Sequence, residues 1–239
     1  MIGAVDADGA RIASDKGDGN VAPGAGGAGI GLAARLRAAT QPAHRLAEHS
    51  GFMRDLLQGR VHRGIYCLLL RNLHALYEAL EAGLDRHADA PAVAPLRFPA
   101  CYRTAPLARD LALLHGPGWD ALPCVPAMHA HVARITQLSA QQPTLLAAHA
   151  YVRYLGDMSG GQLLAGIVRR ALALDEHAGT AFYRFDEDVG AMKKAFRASL
   201  DALPVDAATA DDIVAEAIDA FARHVILFDE LETTPLARP

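Results

Sequence analysis

The chain has 239 residues, 51% hydrophobic and 21% charged, and its 23 Lys plus Arg against 27 Asp plus Glu leave a formal net charge of −4. This composition supports a sizeable buried core and excludes a generally basic nucleic-acid binder. Three widely spaced cysteines, Cys67, Cys101 and Cys124, fit neither a disulfide framework nor a structural zinc site. No signal segment and no bilayer-length apolar run is visible, so the reading is a cytoplasmic protein with neither nucleic acid nor membrane as partner.

Residues 1–30 hold eight of the 21 glycines and seven alanines without an apolar period, and are read as a disordered tail. Gly24-x-Gly26-x-x-Gly29 spells a dinucleotide fingerprint, but no strand precedes it and no βαβ unit surrounds it, so low complexity is the better reading. From residue 31 the pattern turns helical. Between Val61 and Leu84, Tyr66, Leu69, Leu70, Leu73, Leu76, Tyr77, Leu80 and Leu84 recur in steps of three and four and predict one long helix. Further helices are predicted near 104–115, 125–141, 144–174 and 188–202, with breaks at Pro91, Pro95, Pro99, Gly116-Pro117-Gly118, Pro143 and Pro204. A last helix carries Ile213, Val214, Ala217, Ile218, Phe221, Val225 and Phe228. The whole reads as one all-α domain over 31–232, followed by a short C-terminal tail at 233–239.

Three segments could carry chemistry. Tyr151–Gln162 interrupts a strong helical pattern with three glycines, which cost a helix about 3 kcal/mol relative to alanine. At ~100° per residue from Gly156, Gly160 lies at ~40°, Asp157 at ~100° and Gly161 at ~140°. The spacing predicts one face bare of Cβ atoms with a carboxylate beside it, where a ligand could press on backbone or a second helix could pack closely. His44 and Glu48 are one helical turn apart, as in a metal-bound imidazole steadied by a carboxylate or in a plain surface ion pair. Lys193 and Arg197 put two cations on one face, either solvated or gripping a pair of carboxylates.

Together these segments resemble the haem oxygenases. Tyr151–Gln162 is similar to that family's distal-helix signature, and Ala39–Met53 to its proximal helix. Further likeness runs through Tyr77–Glu81, Ala147–His149, Phe182–Phe185 and Phe221–Leu231. The resemblance implies a single multihelical domain with haem sandwiched between a proximal helix and a kinked distal one. Haem is then both substrate and cofactor, with iron bound through it, and is opened to biliverdin, CO and ferrous iron. Position by position, it implies His44 as the axial ligand of the iron, with Glu48 beside its ring. Arg37, Lys193 and Arg197 match cations near the propionates, and Tyr151 lies at the same edge. Gly156, Gly160 and Gly161 match glycines against the distal face, with Gly156, Gly160 and Asp157 acting at the reaction itself. Asp157 organises distal water, while Met53 and Phe228 wall the pocket. Retained propionate cations imply the α isomer. No flavin or nicotinamide motif is present, so a ferredoxin, flavodoxin or reductase supplies electrons.

Departures from the family pattern stand beside the likeness. Pro42 predicts a helix starting near a Thr40 cap, which leaves Arg37 outside it. His74 and His224 replace a tyrosine and an asparagine and imply altered hydrogen bonding of distal water. The pair His149 and Arg153 is expected to face away from haem. Rival readings are a haem-binding or sensor protein without turnover, a di-iron oxidase and a hydrolase. Asp157 argues against the first. None of the eight glutamates has the His three residues later that the second requires, and Ser159 lacks the elbow that the third requires.

Overall fold

A computed structural model describes residues 30–176 and 178–234. Apart from Ile30, the stretch read as a tail lies outside them, with its Gly24, Gly26 and Gly29, as do residues 235–239. Among the described residues there are nine α-helices and no strand: α1 (Leu32–Glu48), α2 (Gly51–Leu57), α3 (Arg63–Arg86), α4 (Thr104–Leu114), α5 (Pro126–Gln141), α6 (Leu146–Ala150), α7 (Gly156–Ala171), α8 (Val189–Asp201) and α9 (Ala207–Thr233).

The periodic residues explain most of this. All eight stripe residues of α3 are buried. Helix α9 begins where Asp206 accepts the Thr209 N–H at 2.8 Å, and α8 where Asp188 accepts that of Ala191 at 2.7 Å, each satisfying an orphan donor of a first turn. In α9 the core face is Ile213, Ala217, Ala220, His224, Leu227 and Leu231, whereas Ile218 is exposed. Helix α3 packs on α4 and α5, α1 lies along α9 and α8, and α9 also meets α2, α5 and α6.

Two local expectations need correction. Helix α1 starts at Leu32, and Pro42 lies inside it. Thr40 is no cap: its hydroxyl donates to the Leu36 carbonyl at 2.8 Å, one turn back. The first turn is fixed instead by Asp201 at the end of α8, which accepts the Ala33 N–H at 2.8 Å. Arg37 is therefore helical, two turns before His44 on the same side of α1. The expected helix over 144–174 divides into a 3₁₀ turn at Pro143–Leu145, α6, a π-helical turn at Tyr151–Leu155, and α7. The interruption directly precedes the glycines, in the one-turn form that π segments commonly take.

Candidate functional site

Helix α1 offers an imidazole. His44 Nδ1 lies 3.5 Å from Glu48 Oε2, in ion-pair range, and the ring stands edge-on to Phe221 at 5.6 Å between centroids. Nδ1 is thereby steered, and Nε2 has no protein partner among the described residues, on a side chain that is 35% exposed. An imidazole steered at one nitrogen and bare at the other is built to give the second to a metal. Lys193 and Arg197 lie half-buried on α8, the helix tied by Asp201 to the first turn of α1.

Helix α7 offers backbone. A Cβ built on Gly156 or on Gly160 meets nothing within 4 Å, so both glycines look onto open space. A Cβ on Gly161 would lie 3.3 Å from the Tyr183 carbonyl oxygen. The three glycines therefore do not share a face. The ~100° between Gly160 and Gly161 turns Gly161 onto the 3₁₀ turn Ala181–Tyr183. Helix α7 rests mainly on α2 and on that turn. Tyr151 reaches across to α1, with its hydroxyl 3.4 Å from that of Thr40.

Asp157 is buried beside the open face. Its Oδ1 accepts from Arg153 Nη2 at 2.6 Å, while Oδ2 is buried with no partner. Arg153 is held at its other nitrogens. Nε donates to the Tyr77 hydroxyl at 3.2 Å, and Nη1 to His224 Nε2 at 3.3 Å. His224 Nδ1 lies 2.7 Å from the Ala220 carbonyl, which requires the proton on Nδ1 and leaves Nε2 as acceptor. Burial and the nearby Arg153 charge push the His224 pKa down to about 3, so the ring stays neutral. Burial also brings Arg153 down to about 10 and drives the Asp157 carboxyl well above the usual carboxylate range. The guanidinium at 2.6 Å opposes that rise.

Comparison with known proteins supplies the family. The family model described as "Heme oxygenase" matches residues 30–230. The chain belongs to the haem oxygenase family. It is 41% identical over 204 residues to heme oxygenase 1 of Nostoc sp., covering 84% of this chain and 86% of that one. Identity to heme oxygenase 2 of Synechocystis is 42% over 207 residues, covering 84% and 83%. The crystal structure of Synechocystis heme oxygenase-1 in complex with heme superposes with a TM-score of 0.82 at 40% identity, covering 85% of this chain and 93% of that one. The heme oxygenase of Leptospira interrogans gives 0.81 at 37% identity, covering 84% and 100%. The protein is thus an oxidoreductase of the haem oxygenase type, a haem-degrading enzyme in the all-helical fold that the resemblance implied.

The residues of this haem oxygenase fit the group its family takes. A bare imidazole nitrogen, two glycines facing open space and a buried carboxylate oxygen without a partner are the donor set that a flat iron macrocycle with an open sixth position requires. Phe228 stacks on Phe52 at 5.7 Å with 4° between planes, and Met53 is half-buried on the same α2.

Sequence reasoning missed Arg153. Expected to face away, it is the side chain that holds Asp157; the visible signal was its place one turn before that carboxylate, the i,i+4 spacing already used for His44 and Glu48. His149 is buried and directed toward α9 and α5: its Nε2 is 3.0 Å from Glu216 Oε1 and its Nδ1 3.2 Å from His131 Nε2. His224 joins the Arg153 cluster, in line with altered hydrogen bonding. His74 instead stands edge-on to Trp119 at 4.9 Å, and its Nδ1 is buried without a partner.

Proposed function

We propose that this enzyme cleaves haem with O2 and supplied electrons to biliverdin, CO and ferrous iron, with haem as both substrate and cofactor. What supports the reading is the combination of an open His44 Nε2 on α1, Gly156 and Gly160 open on α7, and the partnerless Oδ2 of Asp157 on that same helix. When bound, haem supplies the iron at which O2 is reduced and the ring that is opened.

The chain's own residues position haem, exclude side reactions and manage protons. His44 gives its Nε2 to the iron, and Glu48 orients the ring from the Nδ1 side. Gly156 and Gly160 put no side chain where O2 must bind, so the distal face offers neither the base nor the cation that promotes O–O bond splitting in peroxidases. Asp157 holds and releases a proton at Oδ2, through water rather than by direct contact. Arg153 fixes Oδ1 and so aims Oδ2. Arg37, Lys193 and Arg197, with Tyr151 at the same edge, grip the propionates and prevent rotation of the ring in its plane, while Met53 and Phe228 wall the pocket. That anchoring favours the α isomer. Gly161 supports the distal helix from behind rather than lying against the ring.

Electrons come from a separate ferredoxin, flavodoxin or reductase, since the dinucleotide-like run Gly24-x-Gly26-x-x-Gly29 has no strand before it and no βαβ unit around it. The free thiols Cys67, Cys101 and Cys124 suit a reducing cytoplasm, and no helix among the described residues is long and apolar enough to cross a membrane. The test is to load purified protein with hemin and add reduced ferredoxin or ascorbate in air. Loss of the Soret band with growth of biliverdin absorbance is expected, and chromatography should show the α isomer. A persistent Soret band makes the protein a haem binder or sensor without turnover; a dominant β or δ isomer removes the anchoring argument.

A further inference from the structure

The turn that backs Gly161 is fastened with unusual completeness. Asp110, buried on α4, accepts the Ala181 N–H on one carboxylate oxygen at 2.9 Å and the Phe182 N–H on the other at 2.8 Å. Arg103, buried just before α4, donates from Nη1 to the Arg184 carbonyl at 2.5 Å and from Nη2 to that of Ala100 at 2.6 Å. Its guanidinium lies 4.1 Å over the Phe185 ring. Arg103 is itself held, because its backbone N–H donates to Glu81 Oε1 on α3 at 2.6 Å. The Phe182 ring packs edge-on to Tyr77 at 6.0 Å, the tyrosine whose hydroxyl accepts from Arg153.

What this turn presents to α7 is the Tyr183 carbonyl and ring, 3.3 and 3.6 Å from the position of a Gly161 Cβ. With the Tyr183 carbonyl only 3.3 Å from where a Cβ would stand, glycine is the residue that lets α7 sit this close to the turn without displacing it, while the face of α7 at Gly156 and Gly160 is open. The height of the distal backbone above a bound ring is therefore set from behind.

We propose that Asp110, which touches neither haem nor the reacting atoms, is a positioning residue for the reaction: through the Tyr183 turn it fixes α7 at Gly161 and so sets the spacing between the distal backbone and the haem plane. Charge-assisted bonds to two backbone donors are strong and directional, and a carboxylate can take both, whereas an asparagine amide turns a donor toward one of them. This rests on the proposed function only for its consequences in turnover.

The test is Asp110→Asn, read first in the apoprotein by hydrogen exchange. Losing a charged hydrogen bond should speed exchange about tenfold or more at 181–184 and also at 157–165, with α8 and α9 at parent rates. In the haem complex, kcat should fall several-fold with hemin affinity at the parent value, and the biliverdin isomer ratio should broaden. Gly161→Ala pushes on the same joint from the other side and should shift the isomer ratio likewise, which keeps the idea testable if Asp110→Asn does not fold. Faster exchange confined to 181–184, or an unchanged isomer ratio in either variant, overturns the proposal. Because the exchange measurement involves no haem, it still stands or falls alone should the protein prove not to degrade haem.

Discussion

Replacing both Gly156 and Gly160 by alanine should move stability and haem binding in opposite directions. Both glycines lie in α7, neither has a positive φ, and an added Cβ meets nothing within 4 Å at either. Helix propensity alone then favours alanine by about 1 kcal/mol at each, or about 2 kcal/mol together. For a domain of this size that raises the melting temperature of the apoprotein by about 4–8 °C. On the proposed reading the same two methyl groups would project toward the haem plane. Overpacking of about 1–3 kcal/mol translates into a loss of hemin affinity of about 5- to 150-fold. Thermal melts by circular dichroism and hemin titrations at the Soret band measure the two effects separately. A double variant that melts lower than the parent, or binds hemin as tightly, refutes the assignment of this face to haem.

Other perturbations probe the remaining parts. His44→Ala should abolish the parent iron ligation and turnover, and added imidazole should restore the spectrum; an unaltered ferric spectrum in the variant would remove His44 as ligand. Glu48→Gln, which touches only the far nitrogen, should weaken iron coordination by about tenfold while the ligand type stays the same, as read by hemin titration. Asp157→Asn should slow haem degradation by about 10²-fold or more at unchanged hemin affinity, since a positioned proton donor is lost; a parent rate assigns the proton elsewhere. Burial opposes ionisation of Glu216, yet its bonds from His149 and Arg134 outweigh that and hold it at about 2, against an ordinary 4.5. A folded-state pKa below the unfolded one means this stabilisation is complete above pH 4.5 and is lost as pH falls toward 2, in all about 3 kcal/mol. Denaturant unfolding of parent and Glu216→Gln across that range should show the difference between the two curves shrinking by this amount; parallel curves would refute it.

The sequence carried the fold well because its helices are long and one-sided. The α3 stripe was legible residue by residue, and proline or Gly-Pro breaks marked four of the eight boundaries between the described helices, those on either side of α4, between α5 and α6, and before α9. It failed where a local rule met a tertiary partner. Pro42 reads as a helix start by its own chemistry, but the first turn of α1 is secured by Asp201, more than 160 residues away, which no local pattern reveals. Gly161 was grouped with Gly156 and Gly160 because their helical angles span only ~140°; that its side of α7 is covered depends on Tyr183, a neighbour contributed by another segment. Arg153 was legible in spacing but not in direction, since the hydroxyl of Tyr77 and the ring of His224 that draw it inward come from α3 and α9. Ile218 follows the α9 period yet is 42% exposed among the described residues.

The bond from Asp201 to the Ala33 amide has a mechanical consequence. It rivets the helix bearing Lys193 and Arg197 to the root of the helix bearing His44, and α9 braces that root along its length. A displacement at the C-terminal end of α8 is therefore felt directly at the foot of α1, so the spacing of the two cations from His44 depends on a bond that neither group makes.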